Sequence, residues 1–338
     1  MNLAVNTGTP PVDANLLKSM LQQHLGNDLH SVNQILNSRL RSSSGFVNDV
    51  TEHVSRFRGK QIRPMLLLLT HRMLNGDDRA SAAVLAAVVE MIHTATLVHD
   101  DVIDDADTRR HLATVHRRWN TETSVLLGDY LFSKAFHLAA STGDAEACRL
   151  IGLATDKTCE GELNQTAARL DRSTSEFDYF RIIRDKTGQL FALSCLLGAR
   201  TAKATESQQR AAGKFGLRLG LAFQIADDVL DLSESHSSTG KDEGNDLQNG
   251  RLTLPLLRSL QLADPEEREE LLSLIFQHPI SAVDDLRNRG VVQRGIESAS
   301  ATAAELCRRA VRSLVRFPES ADRELLSAIA MFAGQRQA

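Results

Sequence analysis

Two long stretches of this chain, residues 81–105 and 208–232, lack a fully polar face over most of their length. A surface helix keeps one polar side for water, so a helix that is apolar nearly all round has to be surrounded by others. The rest of the sequence can supply that cover. Apolar residues recur at spacings of three and four, as in Leu66, Leu69 and Met73 or Leu217, Leu221 and Ile225, whereas alternating strand-like runs are hard to find. Breakers stand at Asn75-Gly76-Asp77, Ser141-Thr142-Gly143, Asp171-Arg172-Ser173, residues 233–250 and Asp264-Pro265. Helices of roughly 12 to 28 residues fit between them. The expected fold is all-α, a single large helical bundle over residues 13–338 behind a loose tail at residues 1–12, with no linker and no solenoid repeat. The one long polar loop, 233–250, follows a central helix, where a lid or ligand loop is useful.

Composition removes several function classes. The net charge of −4 provides no general attraction for nucleic acid or an anionic membrane. The four cysteines, Cys148, Cys159, Cys195 and Cys307, show no CxxC spacing and read as free thiols in a reducing compartment. The N-terminus lacks the basic start and apolar stretch of a signal peptide, and the longest apolar runs, 82–89 and 65–69, are too short to span a bilayer. A soluble, cytoplasmic protein without an integral membrane segment is expected. There is no GxSxG elbow, GxGxxG or P-loop.

The chemistry concentrates where the two apolar stretches end. One ends in Asp100-Asp101-Val102-Ile103-Asp104, the other in Asp227-Asp228-Val229-Leu230-Asp231, and both read DDxxD. Positions i and i+4 share a helix face, so Asp100 can act with Asp104 and Asp227 with Asp231. The middle residues, Asp101 and Asp228, are rotated by about 100° and can support from behind. Carboxylates of this kind suit Mg2+, which takes oxygen ligands and usually sits between one or two carboxylates and a substrate phosphate. One such motif is weak evidence, because a solvated acidic face or a capping cluster explains it equally well. Two, each embedded in apolar sequence, make metal or cationic partners the better reading, since lone carboxylates beside a core are costly.

Cations stand near both motifs in sequence: Lys60 and Arg63, Arg109 and Arg110, Lys186, and the pair Lys241 and Arg251 flanking the polar loop. Each alone is more often a solvated surface charge. His93, two turns before Asp100, is by default a core histidine. Together with the acidic pair, the cations describe a site for two polyanions.

At this point the chain resembles a known family. Gly59-Lys60-x-x-Arg63-Pro64, Glu90-x-x-His93, Leu97-x-His99-Asp100-Asp101-x-x-Asp104, Arg109-Arg110, Gly128-Asp129-Tyr130-Leu131, Lys186-Thr187, Phe223-Gln224-x-x-Asp227-Asp228-x-x-Asp231 and Gly240-Lys241…Asp246-Leu247…Thr253-Leu254-Pro255 occur in that order over roughly residues 45 to 330. The set is similar to that of the trans-isoprenyl diphosphate synthases. The resemblance implies an isoprenoid synthase fold around a deep central cavity, usually as a homodimer. It implies Asp100, Asp104 and Asp227 as the main Mg2+ ligands with Asp101, Asp228 and Asp231 assisting, and three Mg2+ ions bound with the substrate diphosphate. An allylic diphosphate, of farnesyl or geranyl type, would be held by Arg109, Lys186 and Lys241 between the motifs. Isopentenyl diphosphate would be held by Lys60, Arg63, His93 and Arg110, and Thr187 and Gln224 would border the reacting carbons. Arg251 counts with the diphosphate-binding cations; it stands where the family often has Lys. Two further departures are Gln61 for a common Arg and His111 for a common Gly.

Product length in this family is set largely by residues just before the first motif. Short-chain enzymes place an aromatic there; this chain has Ala95 and Thr96, with Ile92 a turn deeper. The stretch from Glu90 to Asp100 is similar to octaprenyl- and solanesyl-type synthases, which implies a product near C40, with C20–C30 as the alternative. Two other functions stay in view. A class I terpene cyclase shares the acidic cluster but handles one diphosphate, against which the group Lys60, Arg63, His93 and Arg110 speaks. A non-catalytic partner subunit of a heteromeric synthase usually loses an acidic motif, and here both are intact.

Overall fold

The structure, a computed structural model, describes residues 13–233, 245–277 and 282–335. The N-terminal tail expected at residues 1–12, most of the polar loop and Lys241 lie outside the described residues. In chain order the helices are α1 (Ala14–Arg39), α2 (Gly45–Ser55), α3 (Ile62–Met73), α4 (Arg79–Ile103), α5 (Val115–Arg118), α6 (Thr121–Ala140), α7 (Ala145–Ala167) and α8 (Glu176–Ile183). They continue as α9 (Gln189–Thr201), α10 (Glu206–Ser233), α11 (Asn245–Gln248), α12 (Leu254–Leu262), α13 (Pro265–Gln277), α14 (Ala282–Arg287), α15 (Gly290–Leu314) and α16 (Ala321–Gln335). The breakers read from sequence fall in the connections after α3, α6, α7 and α12, so the all-α expectation holds.

The two apolar stretches are the central helices. α4 packs chiefly against α6, α3, α1 and α9, and α10 against α15 and α9. Leu85, Val88, Val89 and Ile92 of α4 and Phe215, Leu219 and Ile225 of α10 are fully buried. Each such side chain contributes roughly 1.5–3 kcal/mol on leaving water. By length and composition alone α4 could cross a membrane, contrary to the sequence reading, but two thirds of its apolar 18-residue stretch lies inside the bundle and its last turn is acidic. Asp78 caps its N-terminus by accepting the Ser81 amide at 2.9 Å.

Two local departures from plain helix shape the site. Residues 184–188 form a π-helical turn between α8 and α9, and this widened turn carries Lys186 and Thr187. After α4, β1 (Thr108–Arg109) and β2 (Leu112–Ala113) make a two-stranded antiparallel hairpin that pairs Arg109 with Leu112. No alternating pattern in the sequence announces so short a hairpin. Its two-residue loop is Arg110-His111, with φ of +53° and +64°. Both central residues with positive φ define a type I′ turn, which favours Asn and Gly because a Cβ crowds the backbone there. His111 therefore occupies a position for which glycine is the unstrained residue, and it is exposed. His111→Gly is expected to raise stability by about 0.5–1 kcal/mol, read as a higher urea midpoint at unchanged m-value.

Candidate active site

The last turn of α4 sorts its aspartates by face. Asp101 is buried, and Arg109 on the hairpin grips it, with Nε donating at 2.8 and 3.1 Å and Nη2 at 2.7 Å. Burial raises its pKa and Arg109 opposes that rise. Asp100 faces Lys186, with Nζ 3.4 Å away. Asp104 caps the helix and meets two guanidinium groups, Arg169 and, at 2.5 Å, Arg251. Arg251 also reaches Asp246 at 3.2 Å.

The end of α10 shows the same division. Asp228 is buried and accepts the Tyr179 hydroxyl at 2.6 Å and the Gln224 amide at 2.8 Å. Burial, then the nearby Asp246 carboxylate, holds it well above the usual carboxylate range. The Gln224 carbonyl in turn accepts from the Thr187 hydroxyl at 2.8 Å. A continuous run, Tyr179–Asp228–Gln224–Thr187, thus links α8, α10 and the π-helical turn. Asp231 accepts the Asp246 backbone N–H at 3.1 Å. Asp227 lies within electrostatic reach of Arg63.

Lys186 reaches Asp100 from a turn that α7 approaches closely. A Cβ on Gly161 would lie 2.4 Å from the Lys186 backbone nitrogen, so only glycine permits this approach. Nζ donates to Glu162 and to the Gln165 carbonyl, both at 2.7 Å. Burial alone would lower the lysine pKa, but Asp100 and Glu162 outweigh it and the net shift is upward. Glu162 is pushed up to about 7 by burial and by Asp100, against the pull of Lys186.

A second cationic group gathers around His93 and Glu90. Arg63 lies over the Phe191 ring, 4.7 Å from its centroid, and burial brings its pKa down to about 10 against the pull of Glu90 and Asp227. His93 is held neutral, well below its ordinary value, by burial and then by Arg63, Arg109 and Arg110. Glu90, buried beneath, is raised by burial and countered by Arg63, Arg58 and Arg110. Arg63 Nε and Glu90 Oε2 are buried without a hydrogen-bond partner. Arg110 donates to the Arg58 carbonyl at 3.2 Å. Lys60 Nζ sits 5.9 Å from the Phe332 ring centroid. Gln61, with φ of +50°, turns away from this group and exchanges hydrogen bonds with Asn33 of α1 at 3.1 and 3.2 Å. The missing arginine at position 61 is thus replaced by a tie between α3 and α1.

Of the proposed length-setting residues, Ile92 and Ala95 are fully buried. Ala95 packs in a cluster with Val50, Val54, Leu127 and Leu131, toward α2 and α6. Thr96 shares the helix face of Asp100, is partly exposed, and donates to the His93 carbonyl at 2.8 Å. The residues that sequence reasoning missed are Glu162, Gln165, Arg169 and Tyr179. They sit on α7, α8 and the connection between them, where nothing in the local pattern sets them apart from surface polar residues.

Among the described residues, no group of three or more metal-binding side chains converges. The carboxylates nevertheless fit Mg2+, which keeps water and substrate oxygens and needs only one or two protein carboxylates. Acidic helix ends ringed by lysine and arginine, in an all-α bundle, suit the binding of a diphosphate together with a divalent metal. The polyprenyl synthetase family model matches residues 45–288. The octaprenyl diphosphate synthase of Haemophilus influenzae is 33% identical over 310 residues, covering 91% of this chain and 94% of that protein. A short chain isoprenyl diphosphate synthase of Methanothermobacter thermautotrophicus is 33% identical over 321 residues, covering 91% and 98%. A polyprenyl synthase of Caulobacter crescentus, crystallised with calcium and isoprenyl diphosphate, superposes with a TM-score of 0.90 at 33% identity, covering 95% of this chain and 98% of that one. The chain belongs to the polyprenyl synthetase family and is a prenyltransferase that makes polyprenyl diphosphate.

The raised Glu162 has a measurable consequence. Its folded pKa of about 7 exceeds its ordinary 4.5, so its contribution to stability is complete below 4.5 and lost as the pH rises to about 7. In Glu162→Gln this decline should disappear, in urea titrations at stepped pH. A decline identical in both proteins would place the proton elsewhere.

Proposed function

We propose that this enzyme condenses isopentenyl diphosphate with a farnesyl- or geranyl-type allylic diphosphate to give a long trans-polyprenyl diphosphate of about C40. The observation that carries the reading is the presence of two cationic groups around the acidic helix ends. Lys186 stands by Asp100 of the first acidic motif, whereas Arg63 and Arg110 surround a neutral His93 near the buried Glu90. Two diphosphates, one needing metal and one held by cations alone, match that division.

In this reading Asp100, Asp104 and Asp227 would hold Mg2+, three ions in all, with Asp231 assisting and Asp101 and Asp228 orienting the helix ends through Arg109 and Tyr179. The metal supplies Lewis-acid stabilisation of the charge that develops on the departing diphosphate. Lys186 and Arg251 add cationic donors beside these carboxylates; Lys241, outside the described residues, joins them in this reading by its place in the motif. Lys60, Arg63, His93 and Arg110 position isopentenyl diphosphate so that its double bond meets the allylic carbocation as the C–O bond breaks. The Thr187 hydroxyl and Gln224 carbonyl, joined at 2.8 Å, border those carbons. Proton loss to the released diphosphate then restores an alkene, and an apolar lining would keep water from the cation.

The long product rests on the absence of an aromatic at Ala95 and Thr96; the C20–C30 alternative is supported by the short-chain relative. A homodimer fits the exposed apolar residues Val125, Leu126 and Phe136 on α6 and Leu153 and Leu163 on α7.

Incubation with farnesyl diphosphate, isopentenyl diphosphate and Mg2+ should give an elongated product, absent with a chelator. Asp100→Asn and Asp227→Asn should each lower kcat by about 10²–10³-fold. No product from the purified chain would favour a partner subunit. Thr96→Phe and Ala95→Phe should shorten the product on chromatography, and unchanged length in both would remove the plug argument.

A further inference from the structure

Asp104 is held by more cation than the family pattern accounts for. Arg251 and Arg169 both bond its Oδ1, and Arg169 also donates to the Ile103 carbonyl at 3.3 Å, on the exposed backbone end of α4. The two arginines come from segments far apart in sequence that are joined locally: the Leu170 N–H donates to the Gly250 carbonyl at 3.0 Å. Gly250, with φ of +64°, permits this contact, since a Cβ there would lie 2.5 Å from Leu170 Cδ2. The joined segments therefore present Arg169 and Arg251 side by side to one carboxylate. Nε of each is buried with no hydrogen-bond partner. Both guanidinium groups thus keep an unmet donor at a point where an anion is expected.

We propose that Arg169 is a diphosphate-binding residue of this enzyme, held on Asp104 until a metal–diphosphate arrives. The inference rests on the proposed role of Asp104 as a metal ligand. While Arg169 and Arg251 occupy Oδ1, a divalent cation approaching alone meets two positive charges and an engaged ligand. A diphosphate entering with the metal gives both arginines a new acceptor and frees Asp104. Arg169 therefore disfavours metal alone and favours metal with diphosphate. A residue that only braces α4 against α7 would not separate those two equilibria.

The test is calorimetric titration of the full-length protein, first with Mg2+ alone and then with inorganic diphosphate at saturating Mg2+. Arg169→Gln should bind Mg2+ alone about three- to tenfold more tightly and diphosphate about three- to tenfold more weakly. Arg169→Lys keeps the charge and should return both constants most of the way to the parental values, which also answers for any loss of folding in the glutamine variant. Shifts of both constants in the same direction, or no shift in diphosphate binding, overturn the proposal. Asp104→Asn serves as the reference. If it weakens Mg2+ binding while the Arg169 variants change nothing, the latch alone is wrong. If it leaves Mg2+ binding untouched, the metal role of Asp104 falls and the latch with it.

Discussion

The arrangement depends on placing carboxylates at the C-terminal ends of two buried helices. The helix dipole already puts partial negative charge there, and apolar neighbours withhold water, so each aspartate is in the least favourable electrostatic position a bundle offers. Relief has to come from cations or protons. Asp101 is met by Arg109, Asp104 by Arg169 and Arg251, and Asp100 by Lys186, while Asp228 is held toward its protonated form by burial and bonded by Tyr179 and Gln224. The acidic site and its basic surround are two parts of one electrostatic solution.

That solution explains the irregular backbone nearby. The π-helical turn brings Lys186 and Thr187 inward, and Gly161 lets α7 pass close beneath it. The hairpin after α4 turns Arg109 back onto Asp101 through a turn that only positive φ allows. Departures from helix geometry cluster where cations must reach carboxylates, and the regular parts of α4 and α10 carry the burial that holds these departures in place.

Much of the site was legible because its chemistry is local. DDxxD places two carboxylates on one helix face whatever surrounds it, and the basic motifs have residue types and order that the fold preserves. Residues whose role depends on an approach across the bundle were not legible. Arg169 and Tyr179 meet carboxylates 65 and 49 residues away in sequence, and no local pattern marks such a meeting. Ala95 shows the same limit. Counting back from Asp100 singles out one turn of α4, but only packing shows that Ala95 faces α2 and α6 while Thr96 shares the face of Asp100.

The sequence by itself determined the all-helical class, the two central helices, the paired acidic motifs and the family. These follow from periodicity and from short-range spacing, which one helix imposes alone. Tertiary structure decided which aspartates face inward and which are paired off, that Gln61 serves α1, and that two distant arginines share Asp104. Those outcomes depend on which elements touch, and contact between elements is settled by the burial of the whole bundle.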